Sequence, residues 1–197
     1  MLESASDDAL MQRYRDGDAA AFDSLYERHR GPLYRFVVRQ CPERGLADDL
    51  FQDVWIGLVE ARASYRPEGH FRTWLFTLAR NRIVDHFRRA DHPAAPVIMD
   101  EEELPQAVAN RADEPHTRAE SNAQLASIVR LLEDMPAGQR ETFLLYEEGG
   151  LPIEEIARCT GVTFEAAKSR LRYAVAKLRA GLAHWRDRDE RDATQRT

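Results

Sequence analysis

The residues of this chain predict an all-α protein: two small helical domains joined by a flexible acidic linker. Three observations carry that expectation. Apolar residues recur at helical spacing along most of the chain, and no segment alternates apolar and polar residues between hairpin signals. The helical period lapses only over residues 90–118, where prolines 93, 96, 105 and 115 and the acidic run 100–103 interrupt it. The expected divisions are residues 1–89, a linker over 90–118, residues 119–185, and a solvated, disordered tail over 186–197.

Taken in order, residues 7–16 form a short first helix ended by Gly17. Asp18 is placed to cap a second helix, because its carboxylate can accept from an orphan N–H. In that helix Phe22, Leu25, Tyr26, Leu33, Phe36 and Val37 share one stripe. Gly31-Pro32 predicts a kink or break there, since proline removes a helix donor. A third helix runs from about Leu46 to Ala63. On it Asp48, Asp49, Gln52, Asp53, Ile56 and Glu60 fall within an arc of roughly 140°. Residues 64–70, rich in turn formers, lead into a fourth helix over 71–89. The second domain is expected as helices over 119–134, 137–148, 152–159 and 163–183.

Composition bounds the function. A content of 43% hydrophobic and 31% charged residues is that of a globular protein rather than a disordered one. No stretch approaches the ~18 apolar residues of a membrane span, so membrane insertion is not expected. The first residues are acidic and polar, unlike a secretory signal. Cys41 and Cys159 stand far apart and away from any metal-ligand spacing, which points to a reduced, cytoplasmic setting. No metal or other cofactor is expected. There is also no nucleophile–base set, HExxH or phosphate-cradling glycine loop, so an enzyme is not expected either.

The net charge of −6 conceals a strong partition. Residues 66–89 hold six arginines against Glu68 and Asp85, and residues 158–186 hold seven Lys/Arg against Glu165. Residues 91–119 hold seven acids and two arginines. Two basic segments thus flank an acidic connector, and local charge is what a phosphate backbone meets.

The most specific local signal lies in residues 151–179. Pro152 suits a first helical turn, Ile153, Ile156 and Ala157 give a short helix its apolar face, and Gly161 supplies a turn residue that tolerates positive φ. Val162 packs behind that turn. The following helix carries Ala167, Leu171, Val175 and Leu178 inward and leaves Lys168, Ser169, Arg172 and Tyr173 on or near its outer face. This is the grammar of a helix-turn-helix. In a major groove Lys168, Arg172 and Tyr173 would reach base edges, and Ser169 and Arg170 phosphates.

The stretch DMPAGQRETFLLYEEGGLPIEEIARCTGVTFEAAKSRLRYAVAKLRAGL (134–182) resembles region 4 of the extracytoplasmic-function (ECF) RNA polymerase sigma factors, with its Gln-Arg-Glu helix and Glu-Ile-Ala…Gly-Val…Lys-Ser-Arg-Leu pattern. It departs from the family at Glu165, Ala166 and Ala167, where Gly-Thr-Val is usual. Residues 7–39 resemble region 2.1, with Gly17-Asp18 and Ala21-Phe22 before Leu25-Tyr26, and residues 47–61 resemble region 2.2. Residues 65–89 resemble regions 2.3 and 2.4.

The resemblance implies a bacterial subunit that binds core RNA polymerase and directs promoter recognition and transcription initiation. Asp48, Asp49, Gln52 and Asp53 would dock on the β′ clamp helices. Arg66, His70, Arg72, Thr73, Trp74, Arg80, Asn81 and Arg82 would hold the −10 element and its melted strand, with Trp74 either a buried wedge or a melting residue. Phe71, Leu75, Leu78 and Phe87 read instead as core. The second domain would bind the −35 element and lean on the β flap, and an anti-sigma protein is a further partner the resemblance allows. The DEEE run could mimic nucleic acid in the polymerase channels or serve as a plain tether. The alternative is a conventional helix-turn-helix transcriptional regulator with an N-terminal helical interaction domain.

Overall fold

The computed structural model describes residues 5–41, 43–66, 70–89 and 118–183, with side chains from residue 123 in the last span. Eight α-helices and no strand occur among the described residues. The N-terminal unit comprises α1 (Asp7–Arg15), α2 (Ala19–Val38), α3 (Arg44–Ala61), a 3-10 turn (Arg62–Ser64) and α4 (Phe71–Arg89). The C-terminal unit comprises α5 (Arg118–Glu133), α6 (Ala137–Glu147), α7 (Ile153–Thr160) and α8 (Phe164–Gly181). The expected linker and tail fall on residues outside the described spans, apart from Arg118.

Local chemistry sets the helix starts. The Ser6 side chain accepts from the Ala9 N–H, that of Asp18 from Ala20 and that of Thr163 from Ala166, so three helices open on side-chain caps. Asp18 also receives Arg13 at 2.6 Å, and the guanidinium holds its carboxyl below the usual range. The start of α4 is capped from another helix. Asp8 of α1 accepts the Phe71 N–H at 2.9 Å and the Tyr65 hydroxyl at 3.0 Å on the same oxygen. One carboxylate therefore pins both ends of the segment that joins the 3-10 turn to α4.

The expected interruption at Gly31-Pro32 is not a break: α2 runs continuously from Ala19 to Val38 with Pro32 inside. Leu25, His29, Leu33, Phe36 and Val37 are buried along one face on both sides of the proline. That apolar burial, worth about 1.5–3 kcal/mol per large side chain, offsets the ~3 kcal/mol that an internal proline costs. The core of the N-terminal unit joins Leu10 and Met11 of α1 to Leu25, Leu33 and Phe36 of α2, Val54 and Leu58 of α3, and Phe71, Leu75 and Phe76 of α4. Leu132, Leu144, Leu145, Leu151, Ile156, Ala167, Ala174 and Leu178 fill the C-terminal unit.

Candidate nucleic-acid interface

The helix-turn-helix forms as its residues require. Helix α7 ends at Gly161, whose φ of 73° is the left-handed conformation that a side chain would strain. The Val162 N–H returns to the Ala157 carbonyl at 3.1 Å, closing the turn over a buried alanine. In α8 Ala167, Ala174 and Leu178 are buried, while Leu171 and Val175 are half-buried. Lys168, Arg172 and Tyr173 face solvent. The Lys168 ammonium sits 5.9 Å from the Phe164 ring and the Arg172 guanidinium 5.1 Å from the Tyr173 ring. These cation–aromatic contacts hold the long side chains along the helix surface and reduce their freedom. Ser169 is half-buried and accepts from Arg172 at 3.4 Å.

Arg170 is placed differently. Its guanidinium covers Gly138 of α6, where a Cβ would meet it at 3.1 Å, and its charge acts on Glu141. It packs α8 onto α6. Glu165 is exposed in the first turn of α8, where a negative charge complements the helix dipole.

On α3 the residues Asp48, Asp49, Gln52 and Asp53 are all exposed on one face, with the apolar Ile56 and Val59 exposed beside them. Tyr34 of α2 donates to Asp48 at 2.9 Å. Carboxylates bordering exposed aliphatic side chains form a surface that both an arginine-rich and an apolar partner face can use. Ile56 already lay in the polar arc of the sequence, and an apolar residue there was the available signal; Val59 carried no such mark.

The arginine-rich segment is divided by the tertiary structure. Arg66, His70 and Asn81 are exposed, and Thr73 is half-buried. Trp74 is half-buried, edge-on to the Tyr65 ring at 5.2 Å and 6.0 Å from Phe71, so its inner part belongs to the packed cluster. Arg82 lies over Gly57 of α3, with Glu60 at 4.0 Å. Phe71, Leu75 and Phe87 are buried and Leu78 is half-buried.

Arg72 and Arg80 point at the C-terminal unit. Arg80 is buried and pairs with buried Glu141 of α6 at 3.0 Å. Burial pushes the Glu141 carboxyl upward, and Arg80 opposes that shift. Arg72 donates to the Glu148 carbonyl at 3.4 Å and lies against Gly150. The Glu148 carboxylate in turn binds Arg35 at 2.8 Å and Arg39. Glu141 and Glu148 were not singled out by the sequence, because nothing in a linear pattern tells a buried acid from one on a solvated helix face.

Two family models match the chain. Residues 25–92 match Sigma-70 region 2, and residues 125–178 match Sigma-70, region 4. The chain is 31% identical over 174 residues to the ECF RNA polymerase sigma factor SigM of Mycobacterium tuberculosis (strain ATCC 25618 / H37Rv), covering 88% of this chain and 83% of SigM. It is 29% identical to the RNA polymerase sigma factor CarQ of Myxococcus xanthus, over 86% of this chain and 93% of CarQ. Among solved structures it is similar to CnrH in complex with the cytosolic domain of CnrY, with a TM-score of 0.64 and 25% identity over 91% of this chain and 99% of that one. With helices over both matched regions and a helix-turn-helix closed by the Gly161 turn, the chain belongs to the ECF RNA polymerase sigma factors, subunits that direct polymerase to promoters.

Proposed function

We propose a division of labour along the chain, carried above all by the outer face of α8, where Lys168, Arg172 and Tyr173 stand exposed beyond the Gly161 turn. That face enters the major groove of the −35 element, with Lys168 and Arg172 directed at base edges and Ser169 at the backbone. Arg170 supports α8 from behind through α6 and reaches phosphate only with its outer edge. Aromatic neighbours keep the two cations extended along the helix, so less freedom is lost on binding.

In the N-terminal unit, Asp48, Asp49, Gln52 and Asp53, with Ile56 and Val59 beside them, dock on the β′ clamp helices of core polymerase. Arg66, His70, Arg72, Thr73 and Asn81 hold the opened −10 strand together with Arg82, while Trp74 presents its outer edge to a base; Arg80, buried against Glu141, is out of the strand's reach in this arrangement. Cations neutralise phosphates, and aromatic or amide groups replace lost stacking and pairing. A shallow apolar groove between α6 and α8, lined by Phe143, Val175, Leu178 and Leu182, takes the β flap. The protein acts in the bacterial cytoplasm without catalysing a reaction itself. An anti-sigma partner is proposed on the ground that the similar CnrH was solved with the cytosolic domain of CnrY.

Run-off transcription with purified core polymerase and a promoter library tests the whole assignment. The expected result is specific starts from a small set of promoters and none without the chain. Binding of the isolated protein as a dimer to a palindrome, with no start directed, would instead favour a conventional regulator. Replacing Lys168 and Arg172 with alanine is expected to relax promoter choice at the −35 element by about 1–3 kcal/mol per lost base contact. Unchanged choice would remove α8 from the reading role.

A further inference from the structure

We propose that Asp8 of α1 is a positioning residue for −10 recognition: without touching DNA, it fixes the edge of the N-terminal unit from which Arg66, His70 and Trp74 reach the strand. This rests on the assignment of those three residues to the −10 strand made above. A helix start is ordinarily capped by the residue just before it, whose side chain meets an N–H two or three positions on. Here the Phe71 N–H, one of the donors left over at the start of α4, is met from a different helix, by Asp8 Oδ1 at 2.9 Å. The same oxygen takes the Tyr65 hydroxyl at 3.0 Å. Arg66 follows Tyr65 in the chain and His70 precedes Phe71, and both are exposed. One atom of α1 thus sets where these two side chains leave the fold.

The tie extends to Trp74. The buried Tyr65 ring, held by its hydroxyl, meets the Trp74 ring edge-on at 5.2 Å, and Phe71 stands 6.3 Å from Tyr65 and 6.0 Å from Trp74. The Trp74 N–H closes the first turn of α4 on the His70 carbonyl at 3.2 Å. A phenol freed from Asp8 would be a buried donor without an acceptor, and it recovers one only by moving the ring that Trp74 leans on.

Helix α1 can serve as the fixed point because it is bound to α2. Asp7 takes Arg28 and His29, each at 2.9 Å, and Arg28 also donates to the Ala5 carbonyl at 2.7 Å. Asp7 therefore holds α1 in place, and Asp8 passes that placement on to α4. Recognition groups must be held to within ~0.5 Å of their working positions, so a side chain that sets position governs discrimination without contact.

The test compares initiation by core polymerase from the promoter selected in the run-off library with initiation from its single-base variants, in the −10 and the −35 elements separately. A ratio between two promoters does not depend on how much of the chain is folded, because the same folded molecules read both. We expect Asp8→Ala to lower discrimination among −10 bases by about tenfold, on the scale of one mismatched base, and to leave −35 discrimination unchanged. Tyr65→Phe keeps the ring and loses only the hydrogen bond, and should lower the −10 ratio by about threefold. Asp8→Asn keeps an acceptor oxygen and should restore most of what alanine loses. Val54→Ala, a buried truncation on α3 outside these ties, lowers stability and should change neither ratio. Equal losses at both elements in Asp8→Ala, unchanged −10 ratios in Asp8→Ala and Tyr65→Phe, or the same shift in Val54→Ala would overturn the inference. Arg66→Ala with His70→Ala reports on the assignment beneath it. If that pair lowers −10 discrimination while Asp8→Ala does not, the positioning role alone fails; if that pair changes nothing, both fail.

Discussion

Asp8 offers the sharpest test of how the N-terminal unit is held together. One of its two carboxylate oxygens, Oδ1, takes both the Tyr65 hydroxyl at 3.0 Å and the Phe71 N–H at 2.9 Å, joining α1 to the approach to α4. Tyr65 is 3% exposed, and burial together with Asp8 pushes its phenol far above the ordinary value, so it remains a donor at any accessible pH. In Asp8→Ala the helix start loses its cap, worth about 0.5–2 kcal/mol. The phenol also loses a hydrogen bond to a charged group, worth about 1.5–3 kcal/mol. The two losses share one acceptor, so the expected cost is about 2–4 kcal/mol. For a unit of this size that lowers the melting temperature on the order of 10–20 °C. Asp8→Asn keeps an acceptor oxygen and should cost less than half as much. Tyr65→Phe isolates the phenol, and the Asp8→Ala/Tyr65→Phe double variant should fall short of the sum of the single losses. Urea denaturation followed by circular dichroism measures the four variants against the wild type. A loss under about 0.5 kcal/mol for Asp8→Ala, below even a weak cap, would refute the argument that this carboxylate organises the start of α4.

Other expectations follow from the same geometry. Asp7 accepts from His29 at 2.9 Å and from Arg28 at 2.9 Å, and these partners, His29 foremost, hold its carboxyl below 3.8. A depressed acid contributes stability that is present above its unfolded pKa and lost as pH falls through the folded one. The stability gap between wild type and Asp7→Asn should therefore narrow below about pH 4; urea midpoints across an acid series that keep a constant gap would contradict this. Gly161→Ala has open space for its Cβ but a φ of 73°, so it should cost only the backbone strain, about 1–2 kcal/mol, in thermal melts of the chain. Burial pushes the Cys41 and Cys159 thiols up to about 11, so iodoacetamide at pH 8 should label the native protein slowly. Labelling is read by mass spectrometry, and fast modification of either thiol in the folded protein would contradict its burial.

Local residue pattern was enough for most of the helices and for the character of two surfaces. Apolar spacing placed every helix but α2 within a residue or two, because periodic burial is a local property of the chain; for α2 it gave a start at Asp18 and an interruption at Gly31-Pro32. Asp18 and Gly161 announced a helix start and a helix stop because capping and left-handed turns depend on the residue type at one position. Spacing alone put Asp48, Asp49, Gln52 and Asp53 on one exposed face, and Lys168, Arg172 and Tyr173 on another. Long-range packing settled what local spacing does not encode. It kept α2 continuous through Pro32, since burial on both sides of the proline outweighed a missing donor. It made Asp8 the cap of a helix some sixty residues away, and it turned Arg170 inward over Gly138. Most of all, it set Arg80 against Glu141 and Arg35 and Arg39 against Glu148. A guanidinium reads the same in sequence whether it awaits a phosphate or already holds a carboxylate, and only the packing of two distant helices tells the two apart.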